Sequence, residues 1–98
     1  MLIGVPKEIK PQENRVGLSA DSVKILVSEG NKVIVETGAG IGSGFTDADY
    51  SSVGASICKT AGEVFDVSEL IIKVKEPQKQ EVELLKKNQL FAVWRVAG

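Results

Sequence analysis

The sequence contains no histidine, one cysteine, one tryptophan, one tyrosine and three phenylalanines in 98 residues. Without histidine it has neither the commonest general acid–base group nor the commonest metal-ligating side chain. With Cys58 alone, no internal disulfide forms and no zinc site is expected. Any chemistry must then rest on arginine, lysine, aspartate or glutamate. No apolar run approaches the roughly 20 residues that cross a bilayer. The opening "MLIGVPKEIK" has too short an apolar start for a secretory signal and no small-residue cleavage pattern. Twelve basic and thirteen acidic residues give a formal net charge of −1. Such a balance sets up no field to draw nucleic acid or an anionic membrane surface. These absences lead to the expectation of a soluble, cytoplasmic, metal-free protein with neither nucleic acid nor membrane as partner.

What is present fits one small domain with a single core. Short apolar runs alternate with helix-like stretches. "LIGV" (2–5) reads as a buried strand that stops at Pro6, and the polar loop "KEIKPQEN" follows. Ser19 stands where an N-cap belongs, ahead of "ADSVKILVSEG", with Val23, Leu26 and Val27 on one face and Gly30 as the left-handed stop. "KVIVE" (32–36), "ASIC" (55–58), "LIIKV" (70–74) and "LFAVW" (90–94) read as further strands. Thr46 caps a short helix in "TDADYSSVG". Thr60 and Glu63 have capping-box spacing. In "EPQKQEVELLKK", Val82 and Leu85 share a helical face. The alternation predicts an α/β fold: a small doubly wound, flavodoxin- or Rossmann-like parallel sheet with helices on both faces. In such sheets the ligand crevice lies outside the carboxyl ends of the strands. Those ends are "GVPKE", "VETGAG", "KVKEP" and "VWRVAG".

The glycine-rich loop after the second strand, "ETGAGIGSGF", invites a nucleotide-binding reading and fails its tests. A dinucleotide fingerprint needs G-x-G-x-x-G, and from Gly38 the third glycine is Ser43; from Gly40 it is Phe45. No Lys-Ser/Thr pair follows, so a phosphate loop of the Walker type fails too. The next helix starts near Thr46, too late to aim its N-terminus at a phosphate held by Gly38 or Gly40. The glycines are expected to turn the chain and to let backbone pack closely, with a place in a crevice wall.

Two cations stand at the strand ends. Arg15 lies in the loop after the first strand, and Lys75 at the end of "LIIKVKEP". A guanidinium holds a carboxylate through two parallel hydrogen bonds, and an ammonium is a point charge suited to a carbonyl oxygen. Together they would grip a 2-oxo acid; from periodicity alone, both also fit solvated surface cations. Glu76 either neighbours Lys75 or faces water, and Glu8 is expected in a surface pair with Arg15 or Lys7. Lys73 is expected at a sheet edge or facing solvent. Cys58 reads as a small buried apolar residue and Trp94 as packing.

"GVPKEIKPQENRVGLS" (4–19), "VIVETGAGIGSGFTDADY" (33–50), "GA" at 54–55 and "IIKVKEP" followed by "ELL" closely resemble the N-terminal part of bacterial alanine dehydrogenases. More distantly, they are similar to the matching region of the proton-translocating nicotinamide nucleotide transhydrogenases. The resemblance runs in order over almost the whole chain. It implies NAD-dependent oxidative deamination of L-alanine to pyruvate and ammonia, and the reverse amination. It also implies that the arginine of "NRVG", Arg15, holds the substrate carboxylate and the lysine of "VKEP", Lys75, contacts the reacting end, in a cleft between two domains.

The resemblance also exposes departures. The family's catalytic histidine falls on Arg95, and arginine cannot exchange a proton near neutral pH because its pKa exceeds about 12; no catalytic residue is therefore assigned. The family's chains are several times longer, and their NAD-binding domain follows the segment seen here. Residues 1–98 are thus expected to be a partial N-terminal, substrate-side domain, with NAD bound by a domain this chain lacks. The tail "NQLFAVWRVAG" diverges, which fits truncation by a frameshift, by design or by misprediction of the gene. The expected protein is the substrate-binding portion of an alanine dehydrogenase, inactive alone, associating with itself or as a homo-oligomer, with L-alanine or pyruvate as ligand. The alternatives are a fragment of a transhydrogenase alpha subunit, or a non-catalytic module that binds a small acid or a partner.

Overall fold

The computed structural model describes residues 1–93. Five strands form one fully parallel sheet: β1 (Leu2–Val5), β2 (Lys32–Glu36), β3 (Ser56–Cys58), β4 (Leu70–Lys73) and β5 (Leu90–Val93). Their spatial order is β3-β2-β1-β4-β5. The direction of winding therefore reverses between β1 and β4, and the loops leaving those strands diverge to open a crevice at their carboxyl ends. The expected doubly wound α/β sheet is the one observed, with small shifts at strand ends. Trp94 and Arg95, weighed above as packing and as the family's histidine position, lie outside the described residues.

Local chemistry explains where the helices start and stop. The Ser19 hydroxyl accepts the Ser22 N–H at 3.1 Å and caps α1 (Ala20–Ser28). The helix ends at a turn in which Gly30 has φ +95°, a conformation cheap only for glycine. Thr46 and Asp49 form a reciprocal capping box on α2 (Asp47–Ser52). Thr60 accepts the Glu63 N–H at 3.2 Å and starts α3 (Ala61–Val67).

Alternation along the strands divides the core in two. Ile3, Val5, Val33 and Val35 pack with Val23 of α1 and Tyr50 of α2 on one face. Ile71 packs with Val64 and Phe65 of α3 on the other, where Ile34, Cys58, Leu84 and Leu85 add to the cluster. Register follows from this division: Ile3 lies opposite Val33, and Ile71 opposite Phe91.

Two expectations fail. The last helix, α4 (Lys79–Val82), is a single turn; Val82 is exposed, and only Leu85 of the expected pair reaches the core. The residue α4 buries is Glu81. Its partner is Lys73, which is wholly buried rather than at a sheet edge. β4 is an interior strand, paired with both β1 and β5, so it has no solvent edge. Lys73 follows Ile71 by two residues, so it projects from the face that α3 and α4 cover.

Candidate functional site

The crevice between the β1 and β4 loops is walled by polar chain, and its geometry starts from Arg15. The guanidinium is forked onto Glu13, with Nε donating to Oε2 at 3.0 Å and Nη2 to Oε1 at 2.9 Å. The Arg15 backbone N–H donates to Oε2 as well, at 2.9 Å. Two residues of separation let the Glu13 side chain curl back over the loop and fix the head of Arg15, which stays about half exposed. The Lys75 Nζ stands 3.9 Å from the same Glu13 Oε1. The two cations singled out by sequence, 60 positions apart, thus meet around one carboxylate oxygen. Hydrogen bonds from Arg15 hold the Glu13 carboxyl down at about 2, far below its ordinary 4.5. The guanidinium is in turn pushed further up by the same carboxylate.

Two hollows flank Arg15. One, of about 260 Å³, is lined by Lys7, Glu8, Glu13, Asn14 and Arg15 and by the glycine loop from Gly38 to Gly42. The other, of about 300 Å³, runs from Arg15 past Ser19, Ser22 and Ser43 to Phe45 and Val74. Lys75 lines neither hollow and reaches the first through its contact with Glu13. A third and larger groove, about 370 Å³ between α1, β4 and β5, is lined by Leu18, Ser22, Ile25, Leu26, Ile72, Ala92 and Val93. Among the described residues, no ionisable group lines it.

The glycine loop is a wall of the first hollow, as expected. At Gly42 a Cβ would meet the Asn14 carbonyl oxygen at 2.5 Å, so only glycine lets this loop press against the Arg15 loop. Ser43 Oγ donates to that same carbonyl at 3.1 Å. The Gly38 N–H, which a phosphate would need, already donates to the Asp47 carboxylate at 2.9 Å, and Thr37 Oγ1 donates to it too. These bonds pull the Asp47 carboxyl down, Thr37 contributing most. A negative side chain therefore sits where a pyrophosphate would bind, and this loop does not fit NAD.

The remaining acidic residues divide differently from the sequence reading. Glu76 faces water and pairs with Lys10 at 3.0 Å, not with Lys75. Glu8 is not in a surface pair with Arg15 or Lys7. It is buried, its Oε2 accepting the Val74 N–H at 3.0 Å and its Oε1 the Lys75 N–H at 3.3 Å. Its Oε1 also lies 3.5 Å from the Lys73 ammonium. Burial pushes its carboxyl above the ordinary value, against the pull of these bonds. The sequence reading passed over Glu13 and Glu81, and it named Glu8 and Lys73 but placed them at the surface. The signal for Glu13 was its spacing two residues before Arg15. Glu8 and Lys73 carry no local signal, because they meet across 65 positions.

The family profile described as "Alanine dehydrogenase/PNT, N-terminal domain" matches residues 4–96. The chain is 57% identical over 91 residues to an alanine dehydrogenase of Methanococcus maripaludis, covering 93% of this chain and 24% of that protein. It is 53% identical over 81 residues to an alanine dehydrogenase of Bacillus subtilis, covering 83% of this chain and 21% of that one. Among solved structures, an L-alanine dehydrogenase superposes with a TM-score of 0.90 at 52% identity. A transhydrogenase from Sinorhizobium meliloti superposes with 0.86 at 36%. Each structural match covers 93% of this chain and about a quarter of the other. The chain spans about a quarter of the length of the relatives it matches.

Proposed function

The chain belongs to the alanine dehydrogenase/PNT N-terminal domain family, and from that premise we propose that it is the substrate-binding portion of an NAD-dependent L-alanine dehydrogenase. The reaction is L-alanine, NAD and water to pyruvate, ammonia and NADH. Arg15 takes the substrate carboxylate and Lys75 faces the carbon that gains or loses nitrogen. The observation that carries the reading is the convergence of both cations on Glu13 Oε1, at 2.9 and 3.9 Å. A site able to hold one carboxylate oxygen between a guanidinium and an ammonium suits a small 2-oxo or 2-amino acid. The closer identity to dehydrogenases than to the transhydrogenase favours deamination over nucleotide exchange.

NAD supplies the hydride acceptor, and it is held by the part of the relatives' length that this chain does not span. This chain's residues do the positioning. Arg15, locked by Glu13, fixes one end of the acid, and Lys75 places positive charge near the oxygen that becomes more negative as the carbonyl is attacked. Position 95 holds an arginine, so the chain brings no proton-transfer group there. The chain alone binds the acid without turning it over, as a non-catalytic small-acid module would. The apolar groove and the exposed Ile25 beside it support association with further chain or with a second copy.

Titration of the isotope-labelled chain with pyruvate tests the grip. Shifts concentrated at the Arg15 side-chain Nε–H and the Lys75 signals are expected; an unchanged spectrum at millimolar pyruvate would reject it. NADH absorbance in the presence of alanine and NAD is expected to stay flat.

A further inference from the structure

Arg15 and Lys75 leave from different strands, so the distance between them depends on how the β1 and β4 loops are tied. Glu8 makes that tie. It sits three residues beyond β1 and accepts both successive backbone N–H groups at the end of β4, Val74 at 3.0 Å and Lys75 at 3.3 Å. A carboxylate can do this with its two oxygens, one for each N–H.

The carboxylate is itself held from below. The wholly buried Lys73 Nζ lies 3.5 Å from Glu8 Oε1 and 2.5 Å from Glu81 Oε1. Glu81 Oε1 also accepts the Gln78 N–H at 2.9 Å, which fixes the start of α4. Glu81 Oε2 is buried with no partner among the described residues. Two carboxylates and one ammonium out of water add little stability over apolar packing of the same volume. What they do provide is direction: β1, β4 and α4 are joined at defined atoms immediately behind the crevice.

We propose that Glu8 is a positioning residue, which through the Val74 and Lys75 amides sets the Lys75 ammonium against Arg15 for a bound carboxylic acid. The proposal rests on the Arg15–Lys75 grip argued above and adds the element that gives the grip its width. Glu8 lines the hollow beside Arg15 but acts on the ligand through Lys75.

The test uses the labelled 98-residue chain in four forms: unaltered, Glu8→Gln, Glu8→Asp and Val64→Ala. Glu8→Gln retains one acceptor oxygen in place of two. Glu8→Asp keeps the charge opposite Lys73 but is one methylene too short to span both amides, and it carries the test if the glutamine variant does not fold. Val64→Ala weakens the core under α3 and controls for lost stability alone. Both Glu8 variants are expected to lose about tenfold in amide exchange protection at Val74 and Lys75, and about tenfold in pyruvate affinity. Val64→Ala is expected to keep its pyruvate affinity. Pyruvate affinity unchanged in the folded Glu8 variants would overturn the proposal, as would an equal loss in Val64→Ala. If the unaltered chain binds no pyruvate, the grip itself fails. The tie is then judged without ligand: lost protection at both amides with displaced Lys75 side-chain signals supports it, and unchanged signals overturn it.

Discussion

Two charge clusters share the carboxyl end of the sheet and are built from the same groups in opposite ratio. Around Glu13, two partly exposed cations share one carboxylate that is itself largely covered. Around Lys73, two carboxylates share one cation, sealed under α4. In the first, more open cluster the two cations stay reachable from solution while Glu13 holds Arg15 in place. The sealed cluster cannot exchange anything, and breaking it strands a charge in a dry interior. Partner ratio and solvent access together separate the proposed binding place from the one that braces.

The largest effect is expected from breaking the sealed cluster at its centre. Lys73→Met removes the only ammonium between Glu8 and Glu81 among the described residues. It is expected to cost about 3–5 kcal/mol, a large part of what a domain of this size has. Urea unfolding would show it as a much lower midpoint. Adding Glu8→Gln and Glu81→Leu to the same chain should recover most of that loss, because no buried charge then remains unpaired. A full midpoint in Lys73→Met alone would mean that water reaches the cluster.

Gly42→Ala sets a wall of the open cluster against its own loop. The added methyl meets the Asn14 carbonyl oxygen at 2.5 Å, backbone that cannot swing aside. A cost of about 1–3 kcal/mol is expected, together with weaker pyruvate binding as the Arg15 loop is displaced. Equal midpoints would show that the two loops are not pressed together in solution.

Arg15→Gln attacks the open cluster without touching the core. The unfolding midpoint is expected to fall only slightly, since the guanidinium is half exposed and the pair is screened from that side. Pyruvate affinity is expected to fall at least about tenfold, measured by titration calorimetry. A drop in midpoint comparable to that of Lys73→Met would erase the distinction between the clusters.

Much of the fold is legible in the residues, and the reasons are local. Ser19, Thr46 and Thr60 announce helix starts because a short hydroxyl beside an unpaired N–H has one favourable use. The apolar runs at 33–35 and 70–72, β-branched but for Leu70, have nowhere to go but a covered sheet. Arg15 and Lys75 stood out by their place beyond strand ends, which fits surface cations equally; their meeting at Glu13 could not be read from it. The brace was not legible. Lys73 sits in an apolar strand, and nothing along the chain distinguishes an edge strand from an interior one; that depends on β5 pairing beyond β4. Glu8 looked like a loop residue because its partners are backbone amides 66 and 67 positions away. Val82 misled in the other direction. Helical spacing placed it with Leu85, but the helix stops after one turn and its buried position is taken by Glu81, which Lys73 draws inward.

The two clusters should also answer acid in opposite ways, though the effect on stability is the smallest of those considered. Glu13 is held at about 2 in the fold against 4.5 unpaired. Its ion pair therefore contributes fully above pH 4.5 and drains away as pH falls through about 2. Burial raises Glu8, so its contribution is complete below pH 4.5 and is lost as pH rises through its folded value. Side-chain carbonyl carbon shifts followed by NMR from pH 1.5 to pH 8 would separate them: Glu13 is expected to turn over near 2 and Glu8 above 4.5. In Arg15→Gln the Glu13 midpoint should climb back toward 4.5, while Glu8, held from the other side by Lys73 and two amides, stays in place. A Glu13 midpoint near 4.5 in the unaltered chain would mean that the guanidinium is not clasped in solution. The site would then be a loose pair of surface cations, without the fixed geometry that recognition of one small acid requires.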